Sequence, residues 1–384
     1  MKVSLASYFS RQAFYHPFTG CTLHKRSPFE KSTDKAIAHP AIQTKDAEAN
    51  VNYIAGEKRF WDKCSTSWMQ TSPSHTLALV IMQGGKCVIE NYATEIQKET
   101  PLAGWSMAKS VVNAWVGIMV KKGLLQLHEP LPKEIWQGNT ERREITMHHL
   151  LQMSSGLPWS ERYWWRSDVT NMLFSSEDVG RAMAAKHLRY EPGTKWQYAS
   201  GTSNLISKAL RIILKDDYTA FPYRELFAPL GMETALMEAD ASGNFVGSSY
   251  MLASARDWAK FGLLYAQDGI WKGERILPEG WVDYTISPAE AAPFNEYGAH
   301  FWLNEGIDQQ AQTRKIPDAP PDVFYASGFG GQRVFIVPSH ELVIARLGSA
   351  HFKEPNFNVL LSDLLANLDH KQDIISKTDI NHNL

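Results

Sequence analysis

The segment GWSMAKSVVNAWVGIMVKKG, residues 104–123, decides how this chain is interpreted. Its apolar residues cover nearly the whole circumference of a helix, which predicts a buried helix from about Ser106 to Lys122 that ends at Gly123. Residues three apart share one face of a helix, so the Ser106 hydroxyl and the Lys109 amine can meet. A lysine is unusual in such an apolar helix, because burial disfavours its charged form, so its presence favours a functional role.

The Ser106–Lys109 pair fits acyl-transfer chemistry. A serine hydroxyl becomes a nucleophile when a base takes its proton, and a lysine can be that base once burial destabilises its ammonium form. The first turn of the helix also offers free N–H groups to a developing oxyanion. The same spacing occurs at Ser32-Thr33-Asp34-Lys35, to which we assign no function. On spacing alone, a helix-capping serine followed by an ordinary lysine stays open as an alternative.

Composition restricts the possible classes of partner. The chain has 384 residues, 44% of them hydrophobic, and 39 basic and 41 acidic side chains give a net charge of −2. We therefore expect a sizeable core and no nucleic-acid partner. Three cysteines without C-x-x-C spacing predict neither a disulfide framework nor a zinc site. No apolar run is long enough for a membrane span and no signal peptide stands out, so we expect a cytoplasmic location, with the periplasm as the alternative.

Strand patterns lie towards the two ends of the chain and helical patterns lie in the middle. Gly84-Gly85 predicts a tight hairpin within 75–92, and a second hairpin is predicted at 334–346. This segregation predicts an α+β fold, with an antiparallel β-sheet flanked by helices and an inserted, mostly helical domain. The predicted parts are an N-terminal arm at 1–50, a sheet domain from 51–123 with 236–384, and a helical domain at 124–235. A helix capped by Ser254, a last helix at about 356–368 and a loose polar tail complete the prediction.

An alternative for Ser106 is the nucleophile elbow G-x-S-x-G, which Gly104-Trp105-Ser106-Met107-Ala108 approximates. An α/β-hydrolase would need a strand that leads into the serine and a histidine near the C-terminus, for which His351 is a candidate. No apolar run between Glu95 and Gly104 has the character of a strand, so we rank this hypothesis lower.

Several further motifs occur in a fixed order along the chain. They are HLLQMSSGL at 149–157, EPGT at 191–194 with YAS at 198–200, SARDWAKFG at 254–262 and YASGFGGQ at 325–332. Together with Trp105–Lys109, these motifs resemble those of the large family of class C β-lactamases, D-alanyl-D-alanine peptidases of the penicillin-binding-protein kind and related esterases. Within this family the likeness is greatest to the branch containing 6-aminohexanoate-dimer hydrolase, and it runs from about Thr76 to Ala350.

The resemblance implies a serine hydrolase that cleaves a small ester or amide through an acyl-enzyme. Ser106 would be the nucleophile, Lys109 its base, and Tyr198 a proton relay to the leaving group. The backbone N–H groups of Ser106 and Phe329 would form the oxyanion hole. No metal or other cofactor is expected, and His148 and His149 are interpreted as structural. The alternatives are a β-lactamase or D-alanyl-D-alanine carboxypeptidase, and a non-catalytic binding protein that keeps the fold.

The chain departs from the family pattern at two places. Ala326-Ser327-Gly328 stands where β-lactam-processing members carry KTG or HTG, and Ser200 stands where an asparagine is usual. Both departures favour the esterase and amidase branch. We expect substrate contacts from a small set of residues: Ser200, Ser327, Gly328, Tyr163 and Trp164. The aromatic residues Trp159, Tyr163, Trp164, Trp165 and Trp196 form either a wall of the site or a helical core, and the sequence predicts no oligomeric state.

Overall fold

A computed structural model describes most of the chain beyond residue 57. The described ranges are 58–70, 75–138, 140–163, 166–349 and 354–382, together with three short strands near the N-terminus. Those strands are β1 (Lys2–Ser4), β2 (Ser10–His16) and β3 (Gly20–His24), which pair antiparallel in the order β1-β2-β3.

Strands from both sides of the helical middle build one antiparallel sheet of six strands. Their order is β11-β12-β13-β14-β4-β5. The ranges are β4 His75–Gln83, β5 Lys86–Tyr92, β11 Trp302–Leu303, β12 Phe324–Gly328, β13 Gln332–Val337 and β14 Leu342–Ser349. Because β14 pairs with β4, the sheet joins segments that are more than 200 residues apart in sequence.

The sheet has a core on each face, since alternate residues of a strand point to opposite sides. In β14, Leu342 and Ile344 pack into one apolar cluster and Val343 and Ala345 into the other. Helices α1 (Lys58–Met69) and α10 (Phe357–His382) cover the face that carries Leu342 and Ile344. The second face is covered by α2 (Ala108–Lys121) and α8 (Ala255–Ala266), which carry the larger cluster.

Shorter elements connect these layers. The helices are α3 Met147–Leu151, α4 Asp168–Ser175, α5 Val179–Ala184, α6 Ser200–Leu214, α7 Ala228–Leu230 and α9 Trp281–Ile286. The strands are β6 Leu102–Ala103, β7 Leu236–Met237, β8 Met251–Ala253, β9 Ile270–Trp271 and β10 Glu274–Arg275. Strands β6, β8 and β7 form a small sheet in that order, and β9 pairs with β10.

The predicted α+β fold is confirmed. Both predicted hairpins form, with positive φ angles at Gly84 and Gly85 in the first turn. Helix α8 begins after Ser254, whose side chain accepts a hydrogen bond from the Asp257 N–H, as a helix cap does. The boundaries of the predicted arm, sheet domain and helical domain stay a prediction.

One local expectation is wrong. The C-terminal tail is not loose, because α10 continues to His382. Residues 369–382 contain neither glycine nor proline, so nothing in that segment breaks the helix. The N-terminal arm contains the strands β1 to β3, whose polar composition gave no alternating signal. None of the helices in the described part of the chain combines the length and hydrophobicity of a membrane span.

Candidate active site

Ser106 lies in a single 3₁₀ turn, Trp105–Met107, that leads directly into α2. The turn is anchored at Gly104, whose N–H donates to the Met251 carbonyl of β8 at 2.8 Å. Trp105 has a φ angle of +49°, a left-handed conformation that costs energy in a residue other than glycine. This strained turn leaves Ser106 partly exposed while the helix behind it is buried.

Lys109 lies in the first turn of α2 and is buried, with 1% of its surface exposed. Its Nζ lies 2.9 Å from Ser106 Oγ and 3.0 Å from Ser200 Oγ, and donates to the Ser248 carbonyl at 2.9 Å. Burial lowers the pKa of Lys109 to about 8, while the nearby Glu161 carboxylate acts in the opposite direction. Roughly a tenth of this amine is therefore neutral at pH 7, and about half at pH 8, and the neutral form is the one that a base for Ser106 requires.

Tyr198 is a second neighbour of the serine. Its hydroxyl shares a hydrogen bond with Ser106, and Lys109 Nζ is 4.9 Å from the centre of its ring. Burial, with a smaller contribution from Glu161, raises the pKa of Tyr198 well above its ordinary value, so the phenol keeps its proton. The ring is held by a stack on Trp302, with 5.5 Å between the ring centres. Ser106, Lys109 and Tyr198 are thus brought together.

Glu161 completes this hydrogen-bond network, and sequence reasoning missed it. The carboxylate accepts from the Ser200 backbone N–H at 2.9 Å and also from the Ser200 hydroxyl. It further accepts from Trp159 Nε1 and from the Tyr163 hydroxyl. Ser200, which was expected to contact substrate, has no exposed surface and links Lys109 to Glu161 instead. The only signal in the sequence for this role is that Glu161 stands between two aromatic residues, Trp159 and Tyr163.

Three aromatic rings surround the mouth of the site. The Phe329 ring is 5.6 Å from that of Trp105 and 5.5 Å from that of Tyr163, measured between ring centres. Phe329 is nevertheless 44% exposed. Burial and the Glu161 carboxylate raise the pKa of Tyr163, and its hydroxyl also shares a hydrogen bond with Ser106. Tyr163 and Phe329 are therefore neighbours of the serine.

The end of β12 approaches the serine turn closely. A Cβ atom added at Gly328 would lie 2.1 Å from the Gly104 carbonyl oxygen, so only glycine fits there. Ala326 is buried in the cluster that contains α2, while the alternation of the strand directs Ser327 to the opposite face. Gln332 supports the following turn by donating to the Phe329 carbonyl at 3.2 Å and the Gly348 carbonyl at 2.6 Å.

Arg333, the cation nearest in sequence to this strand end, donates to the Gly328 carbonyl at 3.2 Å and to the Gln332 carbonyl at 2.8 Å. It lies opposite Ser327 in the sheet register and forms an ion pair with Glu354. Its guanidinium is 4.9 Å from the ring centre of Phe357, which belongs to the apolar cluster on the other face of the sheet. Ala326 therefore has no arginine beside it to replace the family's cation.

The nucleophile-elbow alternative is not supported by the architecture. The strand before Ser106 is the two-residue β6, which pairs antiparallel with β8 and lies outside the six-stranded sheet. His351 and Trp164 fall outside the described residues, as does Trp165. His300 is buried behind α2, where its ring nitrogens contact the Lys109 carbonyl and Ser203 Oγ.

His148 and His149 have local partners. His149 accepts the Thr146 N–H on Nδ1 as part of a helix cap, and His148 Nδ1 lies 3.1 Å from the Tyr284 hydroxyl. Across the described ranges, no group of three or more His, Cys, Asp or Glu side chains is arranged to hold a metal ion. Among the predicted aromatic wall residues, Trp159 is buried and Trp196 packs edge-on against Tyr297.

Comparisons with known proteins identify the family and the fold. The family described as Beta-lactamase matches residues 67–361. A 6-aminohexanoate-dimer hydrolase from Paenarthrobacter ureafaciens is 20% identical over 293 residues, which cover 71% of this chain and 72% of that protein. A family VIII carboxylesterase superposes with a TM-score of 0.64 at 14% identity, covering 82% of this chain and 98% of the other. An octameric penicillin-binding protein homologue from Pyrococcus abyssi gives a TM-score of 0.59 at 18% identity, covering 82% and 77%.

The chain belongs to the Beta-lactamase family, since the match extends over most of its length. The family expected from the ordered motifs is thereby confirmed, and one of the proteins that match in sequence is, by name, a hydrolase. The two superposed structures are too distant in sequence to show more than a common fold.

Proposed function

We propose that this protein is a serine hydrolase that cleaves a small ester or amide through an acyl-enzyme on Ser106. The observation that carries the proposal is the 2.9 Å contact between Ser106 Oγ and the buried Lys109 Nζ, whose pKa is lowered to about 8. The alternative of a capping serine with an ordinary lysine does not account for a buried amine.

The first half of the reaction forms the acyl-enzyme. Neutral Lys109 takes the Ser106 proton as the oxygen attacks the substrate carbonyl carbon, and the backbone N–H groups of Ser106 and Phe329 stabilise the carbonyl oxygen. The C–O or C–N bond of the substrate then breaks. The proton held by Lys109 reaches the leaving group through the Tyr198 hydroxyl, which stays protonated overall because it gives one proton and receives another.

The second half returns the enzyme to its initial state. Water gives a proton to the same Lys109–Tyr198 pair as it attacks the ester carbon, and Ser106 leaves with that proton. Glu161 and the buried Ser200 orient the Lys109 amine towards Ser106 throughout the cycle. They act as positioning residues, because neither is proposed to touch the reacting atoms.

The test is hydrolysis of p-nitrophenyl acetate by the wild type and by Ser106→Ala and Lys109→Ala, with intact-mass detection of the adduct. We expect both variants to lose at least about a thousand-fold in rate. The Ser32-x-x-Lys35 segment has the same spacing, so Ser32→Ala and Lys35→Ala are matched controls and should keep full activity. If Lys109→Ala keeps most of its activity, the base lies elsewhere.

The same preparation distinguishes the alternatives. With Ala326 in place of the family's cation, we expect the β-lactam nitrocefin to be a poor substrate. Faster turnover of nitrocefin than of esters would instead favour a β-lactamase. A wild type that is neither active nor acylated would favour a non-catalytic binding protein.

A further inference from the structure

An exposed phenylalanine beside a nucleophile needs an explanation. Phe329 has 44% of its surface exposed although the Trp105 and Tyr163 rings lie within 5.6 Å of its ring centre. Exposed apolar groups that cluster around a reactive side chain are typical of ligand sites. The Trp105 ring belongs to the residue next to Ser106, so the cluster adjoins the reacting atoms.

The direction in which a substrate lies follows from the proposed function, on which this inference rests. Tyr198 transfers the proton to the leaving group, so the leaving group lies on the side of the Tyr198–Trp302 stack. The carbonyl oxygen lies between the N–H groups of Ser106 and Phe329. Among the described residues, the Phe329 ring contacts Trp105 and Tyr163 and neither ring of that stack. We therefore assign its side chain to the other substituent of the carbonyl carbon, the acyl group.

We propose that Trp105, Tyr163 and Phe329 form a subsite for an aromatic acyl group. The Trp105 and Phe329 rings meet at 66°, edge to face, and the Tyr163 and Phe329 rings meet at 31°. A planar ring on the substrate would cover the exposed part of Phe329 and add a ring-to-ring contact of the kind that these three residues already make. Aryl-acyl esters and amides are the substrate class.

The backbone of Trp105 supports a binding role for its ring. Its φ angle of +49° is unfavourable for a tryptophan and would suit a glycine. A large aromatic side chain at a position that favours glycine indicates that the ring contributes something that offsets this cost. The contact with Phe329 is one such contribution, and it holds the Trp105 ring beside Ser106.

The experiment compares p-nitrophenyl phenylacetate with p-nitrophenyl acetate, which share a leaving group and differ in the acyl group. We expect Phe329→Ala to lower the kcat/KM ratio of phenylacetate to acetate by about ten-fold, from lost apolar area and one lost ring contact. Alanine keeps the backbone N–H, and any displacement of that N–H affects both esters alike and cancels in the ratio. Phe329→Trp should keep the wild-type ratio. Phe294, which is 49% exposed, provides the matched control Phe294→Ala.

Each outcome is decisive. An unchanged ratio in Phe329→Ala, with Ser106-dependent acetate hydrolysis intact, overturns the subsite and leaves the proposed function standing. A second pair, vinyl acetate and p-nitrophenyl acetate, changes the leaving group alone. If Phe329→Ala lowers activity only with the aromatic leaving group, the ring binds the other side of the substrate and the acyl assignment is wrong. If the wild type hydrolyses none of these esters and forms no adduct, both proposals fail.

Discussion

The clearest test of the hydrogen-bond network is Glu161→Gln, which removes a charge and nearly keeps the shape of the side chain. The Glu161 carboxylate stabilises the protonated form of Lys109 and raises its pKa, against the larger lowering effect of burial. Without this charge the pKa of Lys109 should fall below about 8. Because neutral Lys109 is the proposed base, the rise of kcat/KM with pH should then occur at lower pH.

The geometry sets the size of this shift. Lys109 Nζ is 3.0 Å from Ser200 Oγ, which in turn donates to Glu161. Two hydrogen bonds in series place the two charges roughly 5 Å apart. With an effective dielectric constant of about 20, their attraction is about 3 kcal/mol, equivalent to about two pKa units. Glu161 is partly exposed, and water screens part of this attraction, so we expect a shift of about one unit.

The assay is kcat/KM for p-nitrophenyl acetate from about pH 6 to 9, with the uncatalysed rate subtracted at each pH. Wild type should rise towards a plateau above about pH 8. Glu161→Gln should reach its plateau at lower pH, although its plateau rate should be lower, since glutamine accepts fewer of the four hydrogen bonds. Glu279→Gln removes an exposed carboxylate elsewhere and should follow the wild-type profile.

The position of the pH profile separates charge from geometry. A variant that is merely distorted loses rate at every pH without moving the midpoint. A midpoint that stays in place, or moves to higher pH, would refute the electrostatic coupling of Glu161 to Lys109. A wild-type profile that is flat between about pH 5 and 9 would refute Lys109 as the base.

Three further changes should separate stability from activity. Lys109→Met should abolish ester hydrolysis without lowering the melting temperature at pH 7, because holding this amine at a pKa of about 8 instead of 10.5 costs the wild type about 3 kcal/mol of folding free energy. Between these two pKa values the unfolded wild-type chain binds more protons than the folded one, so the stability of the wild type relative to the variant should rise with pH. Urea titrations across that pH range check the sign. Gly328→Ala should lower kcat/KM by about a hundred-fold, since its Cβ would lie 2.1 Å from the Gly104 carbonyl oxygen and displace the serine turn. If the variant keeps wild-type activity, β12 can shift without disturbing the site. Gln332→Leu should lower the free energy of unfolding by about 2 kcal/mol, because it leaves the buried Gly348 N–H and carbonyl unpaired; an unchanged urea midpoint would contradict this loss of stability. The variant should also slow turnover, because the turn at Phe329 loses its support.

Local patterns predicted the elements that form local contacts. The hairpin around Gly84-Gly85 and the helix after Ser254 were found because their turn and cap residues are adjacent to the segments they organise. The strands β6, β7 and β8 were not found. Each has two or three residues, and β6 pairs with β8 across about 150 positions, so no alternation within either segment indicates the pairing.

The residues of the candidate site likewise divide into those that local spacing predicted and those that only the fold brings together. Ser106 and Lys109 lie one helical turn apart, so their contact follows from the period of the helix. Tyr198 was placed only by the resemblance to a family, because a tyrosine in a loop has no pattern of its own. Glu161 was missed because its partners, Ser200 above all, are brought to it by the fold rather than by spacing in the sequence.

Ser200, which stands where the family usually has an asparagine, is matched to the carboxylate of Glu161. A hydroxyl offers a single donor and two acceptor positions. Ser200 uses its donor on Glu161, and its oxygen is then oriented to accept from Lys109. Without a carboxylate at 161, the Ser200 hydroxyl would be free to rotate and could direct its own proton at the lysine, where it would compete with Ser106 for the amine lone pair. We therefore expect Glu161 to turn the Ser200 proton away from Lys109, so that the lone pair of the neutral amine stays available to Ser106.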